Sequence, residues 1–140
     1  EIQAVLGACY GITQKWYRFL KGFEGLEKYG SSEAYISIKN HLAGGKTLLV
    51  RGIDTGHIYR KKAPFNQDWS DVYYNKLFIV KTLFSEEDYK RCLAFLPDKI
   101  SVQKASSRVE SSNWKYLKTY YDVNFPESRE KLKLKMKTLD

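Results

Sequence analysis

GSSEAYISIKNHLAGGKTLLVRGID, residues 30–54, decides the fold, because it holds a start, a stop and a change of period in one short stretch. Ser31 and Ser32 offer hydroxyl oxygens to the N–H groups of a helix start, Glu33 suits the positive end of the helix dipole, and Gly44-Gly45 supplies a left-handed stop. At 100° per residue Ala34, Tyr35, Ile38 and Leu42 share one face. Ala34, Ile36 and Ile38 also alternate as a strand would, so the helix reading rests on its two ends. The TLLVRGI that follows is too short for a helix and too apolar for a loop, and it reads as a buried strand.

Upstream, residues 2–23 admit two readings. As a helix, Ile2, Val5, Leu6, Cys9, Thr13, Trp16, Leu20 and Phe23 recur at spacings of three and four. As a strand and turn, IQAVLGA is a short apolar run closed by Gly7 and Gly11, each of which costs a helix interior roughly 1 kcal/mol. WYRFL at residues 16–20 then reads as a second strand, and residues 23–28 as a helix stopping at Tyr29-Gly30. Downstream, Asp54-Thr55-Gly56 is turn chemistry, and HIYRKK at residues 57–62 returns as the second arm of a hairpin. Residues 64–71 read as a polar loop, and VYYNKLFIVKTLF, residues 72–84, as a long strand rich in aromatic and β-branched residues. Ser85 and Asp88 open a helix that buries Tyr89, Cys92, Leu93 and Leu96 before Pro97. Residues 99–102 read as a short strand, 105–113 as a serine-rich loop, and NWKYLKTYYD as a helix with Trp114, Leu117 and Tyr121 inward. The whole predicts one domain over residues 1–140, α+β or α/β, with a mixed β-sheet flanked by helices at residues 32–43 and 86–96.

The composition is 43% apolar and 15% aromatic, enough to build a core and unlike a disordered chain. The net charge of +8 is diffuse, with 10 basic against 6 acidic residues in positions 1–70 and 14 against 10 in 71–140. Such an excess favours nucleic acid, an anionic membrane or an acidic protein surface without choosing among them. Cys9 and Cys92 have no paired spacing, so reduced cysteines are expected rather than a disulfide framework or zinc site. The uncharged run from Ile2 to Gln14 is too short and too polar to span a bilayer, and no signal peptide is recognisable. Opening on Glu1 rather than methionine, the chain reads as a processed or excised piece.

Each candidate chemistry has a plain structural counterpart. AGGKT at residues 43–47 lacks the first glycine of a phosphate loop, since position 40 is Asn40, and its helix precedes rather than follows the motif. Cys9 with His41 or His57 and Asp54 spells a nucleophile set, but with two cysteines and two histidines in the chain the combination arises by chance, and Cys9 is expected to be buried and structural. No cofactor is implied and no metal cluster stands at a diagnostic spacing. KLKLKMKTL at the C-terminus alternates, with Leu132, Leu134 and Met136 on one side and Lys131, Lys133, Lys135 and Lys137 on the other. In a strand those ammonium groups stand about 6.6 Å apart, near a nucleic-acid phosphate repeat. With Trp114, Tyr116, Tyr120 and Tyr121 they make a candidate contact surface for an anionic partner; as plain structure they guard an exposed edge.

Taken in order, AVLG at residues 4–7, Gly11, WYRFL, FEGLEKYG at residues 23–30, AYISIKNHLAGG at residues 34–45 and LLVRG at residues 48–52 resemble the N-terminal segment of contractile phage tail sheath proteins. The resemblance covers residues 2–54 only, not 55–140, and it favours strand and turn for residues 2–11. It implies a structural, non-enzymatic subunit of a contractile tail or related injection machine, found in the virion of a bacteriophage, or otherwise cytoplasmic. Its partners would be copies of itself in rings around a tail tube and the tube or baseplate proteins, with no membrane contact. Such oligomers work by strand exchange and rigid-body rearrangement, and Leu132, Leu134 and Met136 are the candidate assembly strand. The alternative is a basic, aromatic-rich nucleic-acid-binding domain. On the sheath reading, deleting residues 129–140 abolishes assembly while the monomer stays folded, which negative-stain microscopy and circular dichroism check together.

Overall fold

A computed structural model describes residues 1–5, 7, 9–56, 61 and 68–127. Its elements are six helices: α1 (Gln14–Phe19), α2 (Ser32–Leu42), α3 (Trp69–Leu83), α4 (Glu86–Phe95), α5 (Lys99–Glu110) and α6 (Trp114–Asn124). Among the described residues there is no β-strand, so the expected mixed sheet, and with it the α+β or α/β class, is overturned.

The largest correction is α3, which occupies the stretch expected to be a long strand and the end of the expected loop before it. Asp68 starts it, its carboxylate accepting the Ser70 N–H at 2.8 Å. From Ser70 to Leu83 only Lys76 is exposed, and α4, α5 and α6 all pack against this helix. Near-complete burial removes the polar stripe by which a helix is recognised. The β-branched and aromatic residues cost a helix only a few tenths of a kcal/mol each. Burying Leu77, Phe78 and Leu83 completely returns about 1.5–3 kcal/mol apiece, so packing decides.

The other differences have equally local causes. WYRFL lies mostly in α1, where the Thr13 hydroxyl accepts the Trp16 N–H. Residues 99–113, expected to be strand and loop, form α5 and its end: Asp98 caps the start, and Val102, Ala105 and Val109 fall on one buried face. LLVRG is exposed and irregular, bending at Arg51-Gly52, and residues 23–28 form turns and bends rather than a helix. Most of the expected hairpin arm at 57–62, and the whole segment 129–140, lie outside the described residues.

Where a helix had both a start and an amphipathic face, it is found. Ser85 and Asp88 form a reciprocal capping box, and Tyr89 and Leu96 are buried. In α6 Leu117 and Tyr121 are buried and Trp114 is half-buried. In α2 Tyr35 and Leu42 are buried, Ile38 is half-buried and Ala34 is exposed. Its end is as expected, Gly44 turning the chain at φ +78° while the Gly44 and Gly45 N–H groups donate to the His41 and Asn40 carbonyls. Its start is not, because Ser31 sits at the N-cap without a side-chain cap bond and Ser32 donates to the Glu33 carboxylate at 2.9 Å.

Between α1 and α2 the irregular backbone of residues 20–30 lies against the helices, with Leu20 and Gly22 buried and Glu24, Glu27, Lys28 and Tyr29 exposed, and side chains from α2 and α3 receive its polar groups. Lys39 donates to the Gly22 carbonyl, Tyr35 to that of Glu24 (3.2 Å) and Tyr74 to that of Gly25 (3.1 Å). Asn75, 1% exposed, accepts the Glu27 N–H at 2.8 Å and donates to the carbonyls of Glu27, Tyr29 and Gly30. Gly25, at φ +89°, is obligatory: a Cβ there would lie 2.1 Å from the Phe78 ring. Lys28 and Arg108 close the loop's far end on Asp71, at 2.6 and 2.9 Å, and Arg108 also pairs with Glu27.

Lys39 is the unusual member of this set. Its nitrogen is wholly buried 3.6 Å over the Tyr35 ring, and burial pushes its pKa down to about 6, against the opposing pull of Glu24. The folded chain therefore carries a neutral amine at pH 7 where the unfolded chain carries an ammonium. Between about 6 and about 10.4 the unfolded state binds the extra proton, so Lys39 makes stability rise with pH, by up to about 1.4 kcal/mol per unit. Urea unfolding at pH 6.5, 7.5 and 8.5 should show this rise, and Lys39→Met should flatten it. A slope unchanged by the substitution would contradict a neutral Lys39.

A candidate ligand groove on the second face of α2

A second face of α2 carries the core residue Ile36, the buried Ser37 and the half-buried Asn40. Two irregular segments, residues 1–5 and 46–56, lie beside it. Val5 N–H donates to the Ser37 hydroxyl at 3.1 Å, His41 Nε2 lies 2.6 Å from the Gln3 carbonyl, and Ile2 N–H donates to the Thr47 carbonyl at 2.8 Å. Together with α1 they enclose an open cavity of about 830 Å³.

Its floor is a chain of hydrogen bonds. Trp16 Nε1 donates to Asn40 Oδ1 at 2.8 Å, and Asn40 Nδ2 donates to Thr47 Oγ1 at 3.1 Å, which fixes the amide's orientation. The Ser37 hydroxyl donates to the Glu33 carbonyl at 2.6 Å. Gly45 leaves room for this arrangement, since a Cβ there would meet Asn40 Oδ1 at 2.1 Å. At the rim stand Cys9, Tyr10, Ile12 and Lys46. Partial burial, then the charge of Glu33 and of Tyr17, raise the Tyr10 pKa, so Tyr10 carries its proton at neutral pH. A groove offering an indole, an amide, several hydroxyls and one ammonium suits a neutral or anionic polar ligand with some apolar surface.

The expected sites fare unevenly. Cys9 is exposed at the groove rim rather than buried, because no helix carries it inward. His41 holds the Gln3 carbonyl, Asp54 is exposed and His57 lies outside the described residues, so no nucleophile set is assembled among the described residues. Gly44-Gly45 end α2 and no helix follows them directly, which agrees with rejecting a phosphate loop. The described residues contain no group of three His, Cys, Asp or Glu side chains placed for a metal ion. Leu132, Leu134, Met136 and Lys131, Lys133, Lys135 and Lys137 lie outside the described residues. Of the proposed stacking rings, Tyr121 is buried, Trp114 is half-buried with the Lys81 ammonium 4.8 Å from its ring, and Tyr120 donates to the Phe19 carbonyl at 2.8 Å. Tyr116 is open, at 55% exposure, and accepts from Lys21. Trp16, Asn40 and Thr47 were not singled out from sequence as site residues. The available signal was Ser37 and Asn40 falling together on a face of α2 beside Ile36.

No protein-family model matches the chain, and no solved structure matches it. Among curated proteins it is similar to polypeptide N-acetylgalactosaminyltransferase 10 of mouse, human and rat, 33% identical over 66 residues in each case. That match takes in 46% of this chain and 11% of the transferase. No helix among the described residues is long and apolar enough to cross a membrane.

The groove floor is directly testable. Gly45→Ala should push Asn40 aside, cost about 1–2 kcal/mol, and move the Trp16 indole N–H resonance upfield with faster solvent exchange. An unshifted indole resonance would show that Asn40 does not hold Trp16.

Proposed function

We propose that this chain serves glycosyl transfer, contributing part of the sugar-recognition surface of a transferase that handles an N-acetylhexosamine. The observation that carries the reading is the 33% identity over 66 residues with an N-acetylgalactosaminyltransferase. The groove is compatible with it. A sugar presents hydroxyl and amide groups beside an apolar C–H face, and Trp16, Asn40, Ser37 and Thr47 offer complementary chemistry around that cavity. Transfer requires an activated donor, and Lys46 supplies a cation suited to the phosphate of a nucleotide-linked sugar.

This reading is preferred to the non-enzymatic sheath role because the segments that carried the sheath resemblance as strands, AVLG, WYRFL and LLVRG, form no β-ladder among the described residues. The nucleic-acid reading depends on Lys131 to Lys137 together with rings of which three are taken up in packing.

Three measurements separate the readings. Saturation-transfer NMR with UDP-N-acetylgalactosamine should show contacts to the N-acetyl methyl and the sugar ring, weakened at least fivefold by Asn40→Ala. Absence of transfer at millimolar ligand would overturn the proposal. Rings or tubes in negative stain would restore the sheath reading, and submicromolar, steeply salt-dependent nucleic-acid binding would restore the other.

A further inference from the structure

The direction of the hydrogen bonds along the groove floor is set by the one member that can only donate. An indole N–H has no acceptor to offer, so Asn40 turns its Oδ1 toward Trp16 Nε1, 2.8 Å away. That orientation puts Asn40 Nδ2 at 3.1 Å from Thr47 Oγ1, and an amide nitrogen also only donates. Thr47 is therefore the acceptor, and its own hydroxyl proton is left over.

Among the described residues nothing receives that proton. Thr47 is 8% exposed and lines the cavity, so solvent reaches its side chain poorly and a ligand in the groove meets it. Its backbone is held as well, since the Thr47 carbonyl accepts the Ile2 N–H at 2.8 Å. The Ser37 hydroxyl on the same floor differs. It accepts from the Val5 N–H and has already given its proton to the Glu33 carbonyl. In a chain of this kind each bond polarises the next, which makes the terminal Thr47 O–H the stronger donor.

A nearly buried donor discriminates among the groups a sugar can place against it. A carbonyl oxygen only accepts and matches it. A hydroxyl in the same place brings a proton that needs a partner of its own, and an ammonium has no acceptor at all. An acetamido group also carries a methyl beside its carbonyl, and the aliphatic side chains of Val5 and Ile36 line the same cavity. A site built around a hydrogen bond rejects analogues that leave its buried group unmatched.

We propose that Thr47 is the specificity-determining residue of the groove: its hydroxyl donates to the carbonyl oxygen of a 2-acetamido group, and the groove thereby selects 2-acetamido sugars over sugars with a hydroxyl or an amine at that carbon. The assignment rests on the sugar-transfer reading and deepens it, because it says which atom of the sugar is read and by which side chain.

The test is an NMR titration of the chain with UDP-N-acetylgalactosamine, UDP-galactose and UDP-galactosamine, repeated for Thr47→Val and Thr47→Ser. The parent should bind the acetamido sugar at least tenfold more tightly than either analogue. Thr47→Val, which keeps the shape and removes the proton, should bind it at least fivefold more weakly while its affinity for UDP-galactose stays within twofold. Thr47→Ser should restore the preference, and circular dichroism of both variants should match the parent. Equal affinity of the parent for the three ligands overturns the assignment whether or not Thr47→Val folds, and so does an undiminished preference in Thr47→Val or a preference lost in Thr47→Ser; each of these leaves the groove a sugar site. Binding of none of the three overturns the sugar-transfer reading itself, and the assignment with it.

Discussion

The fold depends on satisfying the polar backbone groups of residues 20–30 that face the helices. Leu20 and Gly22 are buried there and Gly25 is half-buried, while Glu24, Glu27, Lys28 and Tyr29 stay exposed. Irregular chain inside a protein carries donors and acceptors that no helix or sheet supplies, and each one left unpaired costs about 1–3 kcal/mol. Here Lys39 from α2, Tyr74 and Asn75 from α3, and the Tyr35–Tyr121 hydroxyl pair at 2.8 Å between α2 and α6 surround the loop. Because those side chains come from elements far apart in sequence, the loop is correctly solvated only when α2, α3 and α6 are all in place. Its hydrogen bonds thus specify which helices meet, while the hydrophobic contacts of Leu77, Phe78 and Leu117 supply most of the driving force.

The same constraint positions the groove. Tyr35, Lys39 and Leu42 commit one face of α2 to the loop and core, and the neighbouring Ile36, Ser37 and Asn40 line the groove. Asn40 then orients Trp16 and Thr47, and Gly45 gives it space. A disturbance of the loop therefore reaches the groove through a single helix, with no contact between the loop and the ligand surface being required.

What could be read from the sequence follows the strength of the local signals. The helices at 32–42, 86–95 and 114–124 each pair an amphipathic spacing with a turn or cap, and those were legible. α3 was not, since a helix buried almost all round has neither a polar stripe nor a strand's alternation, and its β-branched and aromatic content points the wrong way. α5 was hidden by serines that suggest a loop. In the structure Ser106 and Ser107 turn their hydroxyls back to the Gln103 carbonyl within the helix. Cys9 was expected to be buried on residue type alone, which carries no information about where an extended segment lies. The Leu-Leu-Val run was read as a buried strand on apolar content alone, and it is neither a strand nor buried. Of the groove, the α2 face was available from the helical wheel, but the Trp16–Asn40–Thr47 chain joins residues whose proximity no local pattern encodes.

The most direct test of the central claim is native-state hydrogen exchange at the Glu27 amide, whose acceptor is the buried Asn75 side chain rather than another backbone group. If the loop's hydrogen bonds specify the fold, this amide opens only when the whole molecule unfolds. Its exchange free energy should then equal the global unfolding free energy and fall in step with it in denaturant. Rapid exchange, or protection insensitive to denaturant, would show that the loop opens locally and that the helices hold together without it.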